Sequence, residues 1–285
     1  MKLIKDLTIN STDPQHPITL DIRYHDNATI KPVIIFSHGF KGFKDWGHWD
    51  RIADFFAERD YIFLKFNFSH NGTTPANPSE FGDLEAFAQN NLSKEIDDLG
   101  CVIDYILSDD FEDNGQVNSR KVLLIGHSRG GTISLLRANM DHRIKAVAAW
   151  APIFDMDAYW TPEIRSEWEK IGRKTIANAR TGQQMPLDYQ MIEDYLAHKE
   201  QYSVEKSVKA NAIPTLVIHG TEDEAIPYEG AKAMEHWADW VQFETIQGAK
   251  HTFGGTHPMG DAALSDHAMK LVEKTESFFH NNFKN

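Results

Sequence analysis

Lys121-Val122-Leu123-Leu124-Ile125-Gly126-His127-Ser128-Arg129-Gly130-Gly131 is the stretch that decides the fold. Residues 122–125 are apolar without alternation, which suits a strand buried on both faces of a sheet. Residues 132–140 are compatible with a helix. Between strand and helix stands one serine with glycines two positions before and two after it. The chain must turn sharply there, and side chains at 126 and 130 would collide across the turn.

The same rhythm extends in both directions. Strand-like runs occupy residues 32–36, 61–66, 144–150, 213–218 and 241–246, with two more at 3–9 and 18–24. Helix-like segments lie between them, at 49–58, 228–237 and 262–279. Leu92, Ile96, Leu99, Ile103 and Ile106 step by four and three along one helical face. This alternation predicts an α/β fold, a mostly parallel central sheet flanked by helices. Residues 69–80 read as a long polar loop. Residues 154–212 break the rhythm, with helical patches, charges and aromatics but no strong strand. They are expected to form a small helical lid inserted into a core of residues 1–153 and 213–285.

Composition narrows the function. The 285 residues suffice for one large domain, and 41% hydrophobic with seven Trp and seventeen Phe supplies a full core. A net charge of −13 repels phosphate backbones and anionic lipid, so nucleic-acid and polybasic membrane roles are not expected. The lone Cys101 allows no internal disulfide and reads as a core residue. The N-terminus lacks an apolar signal core, and no run approaches the roughly 20 apolar residues that span a bilayer, so a cytoplasmic location is the expectation. No H-E-x-x-H or comparable spacing points to a metal, and none is expected.

Gly126-His127-Ser128-Arg129-Gly130 fits G-x-S-x-G in its required strand–turn–helix context. A hydroxyl is a poor nucleophile at neutral pH. It needs a base, and the base needs an orienting carboxylate. Asp223 follows the 213–218 strand and His251 follows the 241–246 strand, the ends where α/β sheets build sites. His257 competes for the role of base, and Glu222 and Glu224 compete for that of the acid. His38, His127, His70, His219 and His236 read as structural or exposed. Arg129 reads as solvated or internally paired, with a lid carboxylate or an acidic substrate group as the sharper alternative. The aromatics of 154–212 read mainly as packing.

With these pieces assembled, the chain resembles the α/β-hydrolase superfamily, and within it the serine hydrolases of the dienelactone-hydrolase and cinnamoyl (feruloyl) esterase kind. The resemblance rests on Ser37-His38-Gly39-Phe40, residues 126–131, His219-Gly220-Thr221-Glu222-Asp223 with Ile226-Pro227, and Gly248-Ala249-Lys250-His251-Thr252-Phe253. It implies Ser128, Asp223 and His251 as a triad, and the backbone N–H groups of Phe40 and Arg129 as an oxyanion hole. It also implies hydrolysis of a small-molecule ester through an acyl-enzyme, with no cofactor. One departure stands out. Where many relatives carry an Asp-x-Arg-Gly-x-Gly-like loop, this chain has Asn67-Phe68-Ser69-His70-Asn71-Gly72. Thioesterase, amidase or small aminopeptidase activity on the same fold is the alternative, and a ligand-binding protein without turnover is a further one.

Overall fold

The apolar runs lie side by side in one eight-stranded sheet. The computed structural model describes residues 1–178 and 181–283. In chain order it builds β1 (Lys2–Ile9), β2 (Ile18–Tyr24), β3 (Lys31–Ser37), α1 (Trp49–Ala57), β4 (Ile62–Asn67), α2 (Leu84–Ala88), α3 (Leu92–Leu107), β5 (Val117–His127), α4 (Arg129–Met140) and β6 (Ile144–Trp150). Then follow α5 (Pro162–Ile171), β7 (Arg173–Ala177), β8 (Gln184–Asp188), α6 (Gln190–Ala197), α7 (Val204–Ala210), β9 (Thr215–Gly220), α8 (Tyr228–Lys232), β10 (Val241–Ile246) and α9 (Asp266–Phe283). The sheet order is β1-β2-β4-β3-β5-β6-β9-β10. β1 with β2 and β2 with β4 are antiparallel; every other pair in this sheet is parallel.

Continuous apolarity follows from burial on both faces. Val33, Ile35, Val122 and Leu124 pack on one side with Leu99 and Ile103 of α3 and Leu136 of α4. Ile34, Phe36, Leu123 and Ile125 pack on the other with Ile52 and Phe56 of α1 and Leu271 and Phe279 of α9. Each such side chain contributes about 1.5–3 kcal/mol through burial. Cys101 is half-buried at the edge of the first cluster.

A cluster of buried charges interrupts the apolar packing beside β4. The Lys44 ammonium, fully buried, meets Asp6 at 2.7 Å, Asp21 at 2.8 Å and Asp45 at 2.7 Å. Lys65, in the middle of β4, meets Asp21 at 2.8 Å and Asp50 at 3.0 Å, and also pairs with Asp45. The Lys44 N–H donates to Asn67 at 2.6 Å. This network pins the loop after β3 to the sheet, and that loop borders the site.

Three expectations need correction. Residues 154–212 are not helical throughout: β7 and β8 pair antiparallel between α5 and α6. Their strands are short, and their exposed positions are Arg173, Thr175, Ala177 and Gln184, so no apolar run announced them. Met185, Leu187 and Trp168 join Phe43, Phe81 and Phe87 in a separate small core beneath this segment. α7 packs instead on α4, and its Val204 and Val208 belong to the main core. The helix expected over 228–237 ends at Lys232 and continues as the 3-10 turn Ala233–His236, and the closing helix starts at Asp266, later than expected.

Candidate active site

Ser128 sits between β5 and α4 with φ 54° and ψ −123°. A non-glycine residue held there costs about 1–3 kcal/mol, and the surrounding structure supplies the restraint. Its N–H donates to the Trp150 carbonyl at 2.8 Å, while its own carbonyl accepts from Gly131 and Thr132 to start the helix. A Cβ at Gly126 would lie 2.2 Å from the Gly130 oxygen, and one at Gly130 would lie 2.2 Å from the Ser37 oxygen. Both glycines are therefore sterically required. Arg129 opens α4, so its N–H is among those a helix start leaves without an intrahelical partner, at the positive end of the helix dipole.

Asp223 and His251 meet at the ends of β9 and β10. The Asp223 carboxylate is fully buried. Its Oδ2 accepts from His251 Nδ1 at 2.8 Å and faces His219 Nε2 at 3.2 Å. Its Oδ1 accepts from the N–H groups of Ala225 at 2.8 Å and Ile226 at 2.9 Å. Burial alone would favour the neutral acid. The bonds from His219 and His251, the charge of His251 and the Ile226 N–H outweigh it and hold the carboxyl well below the usual carboxylate range. Bonding of His251 through Nδ1 leaves Nε2 for the cleft.

Ser128 and His251 line one cleft of about 490 Å³, together with Gly39, Phe40, Trp49 and His127. No hydrogen bond joins the Ser128 hydroxyl to His251 among the described residues; such links are commonly long before substrate binds. The Phe40 loop runs hard against the serine: a Cβ on Gly39 would lie 3.1 Å from Ser128 Cβ. Beyond Arg129 opens a second cavity of about 210 Å³, walled by Phe40, Met156, Trp160, Trp168, Leu187 and Met191.

Neighbouring side chains brace these groups. His127 Nε2 lies 2.8 Å from the His251 carbonyl, and burial pushes its imidazole down to about 3. A neutral ring therefore donates to that carbonyl and fixes the loop that carries His251. His38 bonds Gly39 O through Nδ1 at 2.9 Å and faces Asn71 Nδ2 through Nε2 at 3.4 Å; burial pushes it down to about 4. The Arg129 guanidinium pairs with buried Glu95 at 2.7 Å, which in turn accepts from Asn90 at 2.7 Å. Of the two plain readings from sequence, solvated or internally paired, this is the second.

The structure thus brings Asp223 and His251 together and places Ser128, Phe40 and His251 around one cleft. The rivals take other partners or positions. His257 accepts the Gly47 N–H at 2.9 Å and stacks on Trp46. Glu224 lines the cleft rim, and the Glu222 N–H bonds Ala249 O. Sequence reasoning missed His219 as a second partner of Asp223. Its signal was the four-residue spacing to Asp223 across the strand end.

Fold and site define a class, the α/β hydrolases. Within it, the chain belongs to the Prolyl oligopeptidase family, whose profile matches residues 48–285. A Mycoplasma pneumoniae protein named "Putative esterase/lipase 2" is 24% identical over 245 residues, covering 76% of this chain and 81% of its own. Among solved structures, Est1E from Butyrivibrio proteoclasticus has a TM-score of 0.69 at 20% identity, covering 98% of this chain and 99% of that one. The α/β hydrolase GrgF from Penicillium sp. sh18 has a TM-score of 0.73 at 16% identity over 100% of both chains. No helix among the described residues is long and apolar enough to cross a membrane.

Proposed function

We propose that this chain hydrolyses small-molecule carboxylic esters by two-stage acyl transfer, with Ser128 as nucleophile, His251 as general base and Asp223 as the acid that orients it. The observation that carries this reading is the strained Ser128 facing the same cleft as an imidazole whose Nδ1 is fixed on a buried, ionised carboxylate at 2.8 Å. His251 Nε2 takes the Ser128 proton as Oγ attacks the ester carbonyl. The tetrahedral oxyanion is held by the N–H groups of Phe40 and Arg129; each such donor is worth about 3–4 kcal/mol. The imidazolium, stabilised by Asp223, protonates the leaving alcohol. Water activated by the same imidazole then releases the acid.

In this reading residues 154–212 cover the acyl side of a core made from 1–153 and 213–285. The apolar cavity beyond Arg129 takes the acyl group, and the wider cleft takes the alcohol. The relatives named as esterases support the ester; the family match favours a second reading, cleavage of an amide in a small peptide. Hydrolysis of p-nitrophenyl esters set against aminoacyl anilides separates the two, and thioesters extend the panel. Ester turnover that disappears in Ser128→Ala, with the fold retained, supports the proposal. Residual esterase activity above a few per cent in that variant contradicts it. Binding without turnover of any of these substrates would leave a ligand-binding protein.

A further inference from the structure

Away from the cleft, the loop between β1 and β2 meets the loop that follows β4. Asp13 and His16 come from the first loop and His70 from the second. One ligand atom from each, two imidazole nitrogens and a carboxylate oxygen, lie within 4.8 Å of one another. His16 Nδ1 stands 2.7 Å from Asp13 Oδ2, and His70 Nε2 stands 3.6 Å from the same carboxylate oxygen. His70 is only 1% exposed, yet its Nε2 has no hydrogen-bond partner.

On its far side, His70 meets Ser69, which is held in turn by Asp98. His70 Nδ1 lies 2.8 Å from Ser69 Oγ. The Asp98 carboxyl accepts the Ser69 N–H at 2.7 Å. With Ser69 Oγ accepting from His70 Nδ1–H, Nε2 carries a lone pair. That lone pair faces the Asp13 carboxylate oxygen at 3.6 Å, an arrangement that a cation relieves. Such a second-shell bond is the usual way an imidazole is aimed at a metal.

We propose that Asp13, His16 and His70 bind one divalent transition-metal ion of the zinc type, clipping the β1–β2 loop to the loop after β4. With metal–ligand bonds of ~2.1 Å, the 3.6 Å spacing corresponds to an angle of about 118°, close to tetrahedral. His16 is partly exposed and has room to open its 2.7 Å contact by roughly 0.7 Å to reach tetrahedral spacing. Asp83 Oδ2, 3.8 Å from His16 Nε2, adds negative charge at the rim, while its Oδ1 caps α2. Lys94 is the nearby cation, but its ammonium is bonded to the Gln89 carbonyl at 2.8 Å. Two imidazole nitrogens and one carboxylate select zinc-like ions over magnesium or calcium. The other carboxylate cluster, Asp21, Asp45 and Asp50, is already neutralised by lysine ammonium groups.

The clip has a reason to matter. The loop after β4 continues into Asn71, whose side chain reaches Gly42 O at 3.3 Å and His38 Nε2 at 3.4 Å, bracing the loop that carries Phe40. The test uses tag-free, full-length protein stripped with a chelator. Zn²⁺ affinity is measured by competition with a chromophoric chelator, and Co²⁺ is added as a spectroscopic probe. The expected result is one ion per chain, tetrahedral Co²⁺ absorption, and a melting temperature that rises with Zn²⁺. His16→Gln and Asp13→Asn, both at partly exposed positions, weaken binding at least tenfold and abolish the melting shift. His70→Asn, checked for folding by circular dichroism, does the same. Absence of stoichiometric binding, or affinity unchanged in the His16 and Asp13 variants, overturns the site and leaves an ordinary histidine–aspartate pair.

Discussion

Lowering the pH from 8 to 5 should destabilise this protein through histidines outside the proposed triad. His38 and His48 are pushed down to about 4 and His127 to about 3, in each case chiefly by burial. The unfolded chain titrates its histidines near 6.5. Folded values below the unfolded value mean that the stabilisation is present in full above pH 6.5 and is lost as the pH falls through 4. At pH 5 each of the three costs about 2 kcal/mol by linkage, about 6 kcal/mol together. Asp98 works in the opposite direction. Burial raises it to about 7, so its contribution is complete below the unfolded value of 3.8 and is lost as the pH rises through 7. Protonating it between pH 8 and 5 returns about 2–3 kcal/mol. Over these four groups the net loss is about 3–4 kcal/mol, and His70, pushed down to about 4 chiefly by burial, adds about 2 more, together a large share of a typical domain's 5–15. Urea unfolding followed by tryptophan fluorescence at pH 8, 6.5 and 5 measures this directly. His48→Phe should remove about 2 kcal/mol of the slope, since His48 Nε2 has no hydrogen-bond partner to lose. Stability that stays flat or rises between pH 6.5 and 4 would refute the reasoning.

Further expectations follow from single contacts. Gly130→Ala forces a methyl to within 2.2 Å of the Ser37 carbonyl and should cost about 3 kcal/mol or more along with activity, read by urea unfolding and ester turnover. Asp98→Asn should stabilise the protein by about 2–4 kcal/mol at pH 8 and by much less at pH 4, because a buried carboxyl no longer resists ionisation. Glu95→Leu strands the buried Arg129 charge and should cost about 3–5 kcal/mol, measured by the same unfolding curves. His219→Phe removes one contact to the Asp223 carboxylate and should lower kcat/KM about tenfold with little change in KM, in steady-state ester kinetics.

Much of this architecture was legible because it is local. Runs such as 122–125 and 213–218 announce strands buried on both faces, and residues 126–130 announce a turn that only glycine at both flanks allows. Asp223 and His251 were readable because each follows such a run. What was not legible depends on partners distant in the chain. Lys65 in an apolar strand makes sense only beside Asp21 and Asp45, and Arg129 only beside Glu95. β7 exposes Arg173, Thr175 and Ala177 around part-buried Lys174 and Ile176, and β8 buries only Met185, Pro186 and Leu187, too short a pattern to stand out from the charged helices around it. His219 looked like one more scattered histidine until the strand end folded it onto Asp223.

The most direct test of the acyl-transfer account is peptide mapping by mass spectrometry after reaction with a fluorophosphonate probe. The account predicts a single adduct, on Ser128, formed far more slowly in His251→Asn and not at all in Ser128→Ala. An adduct on another residue, or ester turnover undiminished in a protein fully labelled elsewhere, would contradict it.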